Sequence, residues 1–413
     1  MSATRGRAGA LVTGLAFVIL FGYALARPTT ESLFLEVHGS DALPSVWIAV
    51  AVTSVVAAGL YGRATSHHPL GRVMQGATLA SALTLALTLV MHHLGLANGA
   101  GALYVWKDVH IVILLEALWS FANLVFNAKT ARWAYGLFCA AGSLGGMTGN
   151  LLVGSLAARV GSVGVLLFLL PLFALEIAMI GMLAREAGQP APEARPRASL
   201  EDLWLLQRSP YLVWMVALIG LVQIAITLVD YVYNTAISSA YPDLDARTAV
   251  IGRVYAAIDA TSLVLQLGTG LVLRALGLRA TLLAIPALLG AVVAAFVIQP
   301  RFAFMAITKI ASKAFDYSLF RAAKEMLYLP LSYAEKTRGK ALVDILTYRV
   351  AKGGASLLLA GLLALGAAAS TLPLVLGLIG LWLGVTVVVT RRHRAASEGV
   401  AERKERVEPS AGA

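Results

Sequence analysis

The chain has 413 residues, of which 59% are hydrophobic and only 13% charged, with a mean hydropathy of +0.78; this excludes an ordinary water-soluble protein. A formal net charge of +11 would point to nucleic acid in a soluble chain, but here the basic residues must first be sorted by membrane side, and no nucleic-acid partner is expected. The single cysteine, Cys139, excludes an internal disulfide framework and a cysteine-rich metal site.

A hydrocarbon layer of about 30 Å takes roughly 20 apolar residues per helical crossing, so this length holds about twelve crossings with short connections. Runs such as Leu11 to Leu25 and Leu374 to Thr390 are nearly continuously apolar, which favours helices over the alternating strands of a barrel. Hydropathy places the helices at 8–27, 44–62, 72–95, 101–126, 134–158, 162–183, 209–233, 248–275, 278–298, 302–327, 340–367 and 371–390. The first follows Arg5 and Arg7 in the manner of a signal peptide, but it is too long for an ordinary leader, and Pro28-Thr29 makes a poor cleavage site. It is read as a retained span.

Taking the loops alternately, Arg63, Arg72, Lys129, Arg132, Arg185, Arg195, Arg197, Arg208, Arg274, Arg279, Lys336, Arg338 and Lys340 fall on one side, together with the tail from Arg391. Glu31, Glu36, Asp41, Asp243 and Asp245 fall on the other. The positive-inside rule then puts both termini in the cytoplasm of a bacterial inner membrane. The Pro-, Ala- and Arg-rich stretch 184–207 reads as a linker between an N-terminal six-helix bundle (1–183) and a C-terminal one (208–390). Residues 391–413 read as a disordered basic tail. Lys129-Thr130 and Arg132 precede Gly145-Gly146 much as Lys336-Thr337-Arg338 precede Gly353-Gly354, which favours a duplicated six-helix unit around a midplane site.

Ionisable residues inside the spans are the candidate site. A charge at a helix centre costs roughly 2.5–3.5 kcal/mol, so Lys309, Lys313 and Asp316 are expected to face protein or water. Their spacing puts them on one face that is net positive, suited to an anion. Arg321, Lys324 and Glu325 continue that polarity, and Asp344, Arg349 and Lys352 follow in the next helix. The alternative is that Lys324 and Arg349 snorkel to headgroups while Asp316, Glu325 and Asp344 neutralise neighbouring bases. In the first half, Arg27 ends helix 1, and Lys107 and Asp108 begin helix 4 with Glu116 two turns further on; Asp230 ends helix 7 and Asp259 lies mid-helix 8 after Arg253. These carboxylates read either as proton carriers or as halves of permanent salt bridges.

Other features read more plainly. Gly142, Gly145, Gly146 and Gly149 have small-xxx-small spacing rather than a phosphate loop, and are expected where the halves slide. Glu176 reads as a packing or hydrogen-bonding residue, and the pairs His67-His68 and His92-His93 as loop residues. Trp106, Trp119 and Tyr104 are read as interface anchors, with stacking on a ring-shaped substrate as the alternative. No nucleophile–base pair, metal motif or nucleotide-hydrolysis loop stands out, so no enzyme activity, metal or cofactor is expected.

The stretch FDYSLFRAAKEMLYLPLSYAEKTRGKALVDILTYRVAKGGAS, Phe315 to Ser356, resembles the signature of the ATP/ADP translocase family. Further similarity lies in Arg27-Pro28, Tyr104-Val105-Trp106, Phe121-Ala122-Asn123, Arg208-Ser209-Pro210-Tyr211-Leu212 and Gly252-Arg253 with Tyr255 and Gln266, so that it runs through the whole chain. The resemblance implies an all-α, major facilitator-like membrane protein of twelve helices in two six-helix bundles. It implies a transporter of a small-molecule anion with nucleotide exchange as the default, Lys324 as a substrate-contacting base, and Asp108 at a recurrent acidic position. Two departures stand out: Thr30 precedes Glu31 where the nucleotide exchangers usually carry a second base, and Asp316 stands where they carry a base before Tyr-Ser-Leu. The expected substrate-binding set is therefore Arg27, Asp108, Lys313, Lys324 and Arg349, and the expected ion-coupling or gating set Glu116, Asp230, Asp259, Asp316 and Glu325. The expected partners are the lipid bilayer, the substrate and protons as coupling ion, with the chain monomeric. The rival reading keeps the fold but makes it a proton-coupled symporter or an exporter of another solute.

Overall fold

The computed structural model describes residues 3–96, 98–125, 128–187, 204–332, 335, 339–340, 343 and 346–407, with side chains given for all of these except 3–5, 124–134, 187, 205, 346, 348–349 and 399–407. Asp344 and the side chain of Arg349 lie outside the described set, as do the linker residues 188–203. Every regular element among the described residues is helical. In chain order they are α1 (Ala3–His38), α2 (Leu43–His67), α3 (Leu70–His93), α4 (Asn98–Val125), α5 (Ala128–Leu167), α6 (Leu169–Ala187), a short α7 (Trp204–Arg208), α8 (Pro210–Ala240), α9 (Leu244–Ile298), α10 (Phe302–Phe315), a π-turn (Asp316–Phe320), α11 (Arg321–Leu327), a second π-turn (Leu346–Ala351), α12 (Lys352–Ala364) and α13 (Thr371–Val407). Seven of the described helices are long and apolar enough to cross a membrane.

The 55 residues of α9 would span about 80 Å as one rod, far more than a bilayer needs. The rod is broken at Gly277 (φ 74°, ψ 168°), and α5 is broken in the same way at Gly161 (φ 75°, ψ 157°). That backbone region is open essentially to glycine alone. Both breaks fall at boundaries that hydropathy places, between 158 and 162 and between 275 and 278. With α10, the first π-turn and α11 taken as one rod, the described helices follow the order of the twelve hydropathy stretches.

Two expectations need correction. The first helix does not stop at Arg27: α1 carries Pro28 inside it and continues to His38. Proline removes one helical N–H, but Thr29 and Thr30 donate their hydroxyls to the carbonyls of Leu25 (2.8 Å) and Ala26 (2.9 Å) beside the gap. Glu31 therefore sits buried on a helix, 5% exposed, rather than in a loop. The tail is likewise helical as far as Val407; its Ala-, Arg- and Glu-rich sequence has high helix propensity and Arg394 pairs with Glu398 one turn on at 2.8 Å.

Proximity groups Met1–Arg195 with Asn234–Ala260 as one compact unit and Pro196–Tyr233 with Thr261–Ala413 as another. In the first unit α1 is central, packed on α4, α5 and α6. Its core runs through Val12, Leu15, Ile19, Met74, Leu118 and Phe121 at one level and Leu25, Leu85, Leu103, Val153 and Phe173 at another. The α1–α5 pair is close because glycines face backbone: a Cβ on Gly149 would lie 2.6 Å from the Phe21 carbonyl oxygen, and one on Gly145 would overlap that of Phe17. Gly154 and Gly252 do the same between α5 and α9, against Ala249 and the Asn150 carbonyl. Gly142, Gly145 and Gly149 thus face α1, whereas a Cβ on Gly146 would lie 3.5 Å from Asp259 Oδ2 of α9.

The start of α9 joins this unit through polar groups. The buried Arg247 guanidinium donates to Ser32 Oγ and Ser32 O (3.0 Å each), to the carbonyls of Tyr241 (3.3 Å) and Pro242 (3.2 Å), and to Glu36. Asp245 accepts the Ser162 N–H at 2.7 Å, where the chain turns back into a helix after Gly161. Among the described residues of the second unit, Trp382 of α13 and Tyr233 of α8 are the largest fully buried side chains, and Phe320 meets Trp382 edge-on at 6.2 Å. Tyr211 at the start of α8 donates its hydroxyl to the Leu327 carbonyl at 2.8 Å.

Candidate substrate site

In the first unit the charges of α1 and α4 converge. Arg27 Nε donates to Glu31 Oε1 at 3.3 Å, one helical turn away, and Lys107, 1% exposed, lies 3.8 Å from the same oxygen and 2.9 Å from Asp108 Oδ1. The other Glu31 oxygen accepts the Tyr255 hydroxyl from α9 at 2.8 Å. Both cations also sit on aromatic faces: the Arg27 guanidinium carbon is 3.7 Å from the Tyr255 ring centre, and Lys107 Nζ is 3.8 Å from that of Tyr104. Trp47 Nε1 holds the Tyr104 hydroxyl at 2.8 Å. Two bases and two carboxylates therefore meet in a wall of rings, their buried charges mutually satisfied. Asp259, further along α9, accepts from the Asn150 amide at 2.9 Å.

In the second unit, Asp230 of α8 holds two lysines of α10, Lys309 at 2.7 Å and Lys313 at 2.8 Å, one on each carboxylate oxygen. Lys309 is also 4.9 Å from the Tyr233 ring centre. Asp316 opens the π-turn and accepts from Gln223 of α8 at 3.3 Å. The wider turn shifts the register of the helix beyond it, leaving Phe320 and Lys324 buried and Arg321 exposed. Among the described residues, Lys309 and Lys313 share Asp230, and the buried Asp316 and Lys324 follow along the same rod. A lysine is a strong point donor to phosphate.

Of the expected site residues, the structure brings Arg27 and Asp108 into the first cluster and Lys313 and Asp230 into the second, with Asp316 one helical turn and Lys324 about three turns beyond Lys313. Asp259 is bonded to an amide beside the first cluster. Glu116 is exposed on α4, away from Asp108, and Glu325 is a surface residue paired with Lys340 at 2.6 Å. Arg349 lies outside the described side chains. Glu31, Lys107, Lys309, Tyr255, Asn150 and Gln223 belong to the clusters but not to the expected set. Glu31 is one turn from Arg27, a spacing that signals a pair once α1 is continued through Pro28; Lys309 is one turn from Lys313. The neutral amides carry no such signal. Thr30 spends its hydroxyl on its own helix.

The fold is that of a multi-pass, all-α membrane protein of major facilitator type. The chain matches a solved bacterial homologue of the iron transporter ferroportin over 94% of its length and 99% of that chain (TM-score 0.71, 12% identity). It matches the nucleoside transporter NupG over 94% and 98% (TM-score 0.66, 10% identity). Residues 297–393, which contain the second cluster's lysines, match the model of the TLC ATP/ADP transporter family. The chain is also 25% identical to ADP,ATP carrier protein 1 of Chlamydia muridarum across 96% of its own length and 90% of that protein. The chain is thus similar to ATP/ADP transporters over residues 297–393 and, at 25% identity, along nearly its whole length.

Proposed function

We propose that this chain is a secondary transporter of a phosphate-bearing anion, with ATP/ADP-type nucleotide exchange as the first candidate. It works in a bacterial inner membrane as a monomer, both termini in the cytoplasm and two six-helix halves (1–183 and 208–390, joined by 184–207) alternating access to one site. The observation that carries the reading is the lysine cluster of α10 and α11 with Asp230 as its internal counter-ion, inside the segment that matches the family. An entering phosphate would compete with Asp230 for the ammonium groups of Lys309 and Lys313 and meet Lys324 further along the same rod. Alternation would have to part the bonds of Arg247 and Asp245 that hold α9 to α1 and to the α5 turn. With Asp316 and Thr30 in place of bases, a ligand less charged than a nucleoside triphosphate fits this site better.

Proteoliposomes loaded with unlabelled nucleotide are expected to take up labelled ATP or ADP faster than empty ones; equal uptake rejects exchange. In the same assay Lys324→Gln is expected to weaken apparent affinity roughly 10- to 150-fold, from one charge-assisted hydrogen bond of about 1.5–3 kcal/mol. An unchanged affinity removes Lys324 from the site.

One observation favours a second reading, proton-coupled transport of a different solute. Asp259 and Asp316 take their hydrogen bonds from amides, Asn150 and Gln223, rather than from bases, a setting in which a carboxyl can carry a proton without breaking an ion pair. Under that reading an imposed pH gradient drives uptake and Asp259→Asn abolishes the drive. A gradient response that survives the substitution excludes Asp259 as the carrier.

A further inference from the structure

A large cavity lies apart from both charged clusters. It is a trough of about 890 Å³ between α2, α3 and α4. Its floor is the face of α4 carrying Val105, Trp106 and Val109, while Tyr104, Lys107 and Asp108 belong to the cluster with α1 and α9. The trough exists because α3 lines it with small residues, Gly76, Ala77 and Ala80, and a Cβ on Gly76 would meet nothing within 4 Å. The floor is stiffened by a buried hydrogen-bond chain: Trp106 Nε1 donates to Ser81 Oγ at 2.8 Å, Ser81 Oγ lies 2.7 Å from His110 Nδ1, and the His110 ring stacks on Trp106. The groove is thus held open rather than filled by its own side chains.

Lining residues of α3 run from Arg72 to Thr88, about 24 Å at the helical rise, longer than the roughly 15 Å of one hydrocarbon leaflet. One end is basic: Arg72 and His68 line it and are exposed, with Arg63 and His67 exposed beside them. Neither α2 nor α3 contains an acidic residue. The positive-inside expectation puts this end at the cytoplasmic face, where anionic lipids carry the surface charge. The flanks are bare aliphatics, Val56, Leu60, Leu83 and Leu87.

We propose that this trough is a lateral binding site for an anionic phospholipid, its acyl chain lying along α3 and its phosphate held at the mouth by Arg72 and His68. An apolar channel one acyl chain long with a basic mouth matches both ends of that amphiphile, whereas a zwitterionic lipid brings a second positive charge to the mouth and a free anion leaves the channel empty. The test uses the full-length chain, delipidated in detergent, with palmitoyl-oleoyl-phosphatidylglycerol, the matching phosphatidylcholine, and inorganic phosphate as probes, read by melting temperature and native mass spectrometry. Phosphatidylglycerol is expected to raise the melting temperature by roughly 3 °C or more beyond phosphatidylcholine, and to remain bound in the mass spectrum. Inorganic phosphate alone should give no shift. Arg72→Gln, at an exposed position, should erase the difference between the two lipids, and Ala80→Phe should lose the retained lipid. Equal stabilisation by both lipids, an unaltered preference in Arg72→Gln, a shift of the same size with phosphate alone, or a dimer that Ala80→Phe dissociates would each overturn the proposal, the last assigning the face to a second copy of the chain.

Discussion

Replacing Asp230 with alanine is expected to cost this protein most of its stability margin. The carboxylate is the shared partner of Lys309 and Lys313, at 2.7 and 2.8 Å, and Lys309 is 1% exposed. Taking away one side of a buried ion pair strands charge in an interior that solvates it poorly, a loss of about 3–5 kcal/mol. Detergent-solubilised Asp230→Ala should therefore melt roughly 10 °C lower than the parent chain. The loss comes from stranded charge and not from a missing contact, so adding Lys309→Met and Lys313→Leu should restore much of it. A single variant that melts with the parent, or a triple variant that melts no higher than the single, means that the three side chains are not coupled as the distances indicate.

The second large effect is steric. A β-carbon at Gly145 would overlap the carbonyl oxygen of Phe17, which belongs to the backbone of α1 and has no rotamer to give way. The neighbouring Gly149 meets the Phe21 carbonyl oxygen and the Ala24 methyl, so the whole α1–α5 crossing must separate to admit either side chain. Gly145→Ala should lose at least about 1–3 kcal/mol, the usual cost of overpacking, and Gly145→Val should fail to accumulate as a monodisperse species in fluorescence-detected size exclusion. Gly136, on the same helix with nothing within 4 Å of its Cβ, is the control: Gly136→Ala should be neutral or mildly stabilising. If the alanine variants at 136 and 145 behave alike, α1 and α5 do not approach as closely as described.

Much of this architecture was legible in advance because membranes impose simple rules. Apolar run lengths located the rods, and the breaks at Gly161 and Gly277 fell within a few residues of the boundaries drawn from hydropathy. The exception was α1, where Pro28 reads as a terminator by the rules for water; inside a bilayer the threonine hydroxyls after it bond the nearby carbonyls and the helix continues, carrying Glu31 into the interior. The cationic stripe of Lys309, Lys313 and Asp316 followed from helical periodicity. Its partner did not, because Asp230 lies 79 residues earlier and only packing of α8 on α10 brings it there. Asn150 and Gln223 were invisible for a different reason: a neutral amide disturbs neither hydropathy nor charge pattern. The Phe315 to Ser356 stretch carried the resemblance, and it lies inside the segment 297–393 that matches the TLC ATP/ADP transporter model. The glycine run was correctly read as close contact, but spacing alone does not name the helix on the other side.

The fastening around Arg247 has a consequence for inheritance. Three of its acceptors, the carbonyls of Ser32, Tyr241 and Pro242, belong to the main chain and survive almost any substitution at those positions. The vulnerability of this closure is thus concentrated in a single codon. Random mutagenesis should find the surrounding positions forgiving and that one intolerant, even of lysine, whose single ammonium does not reach around the corner as a planar guanidinium does.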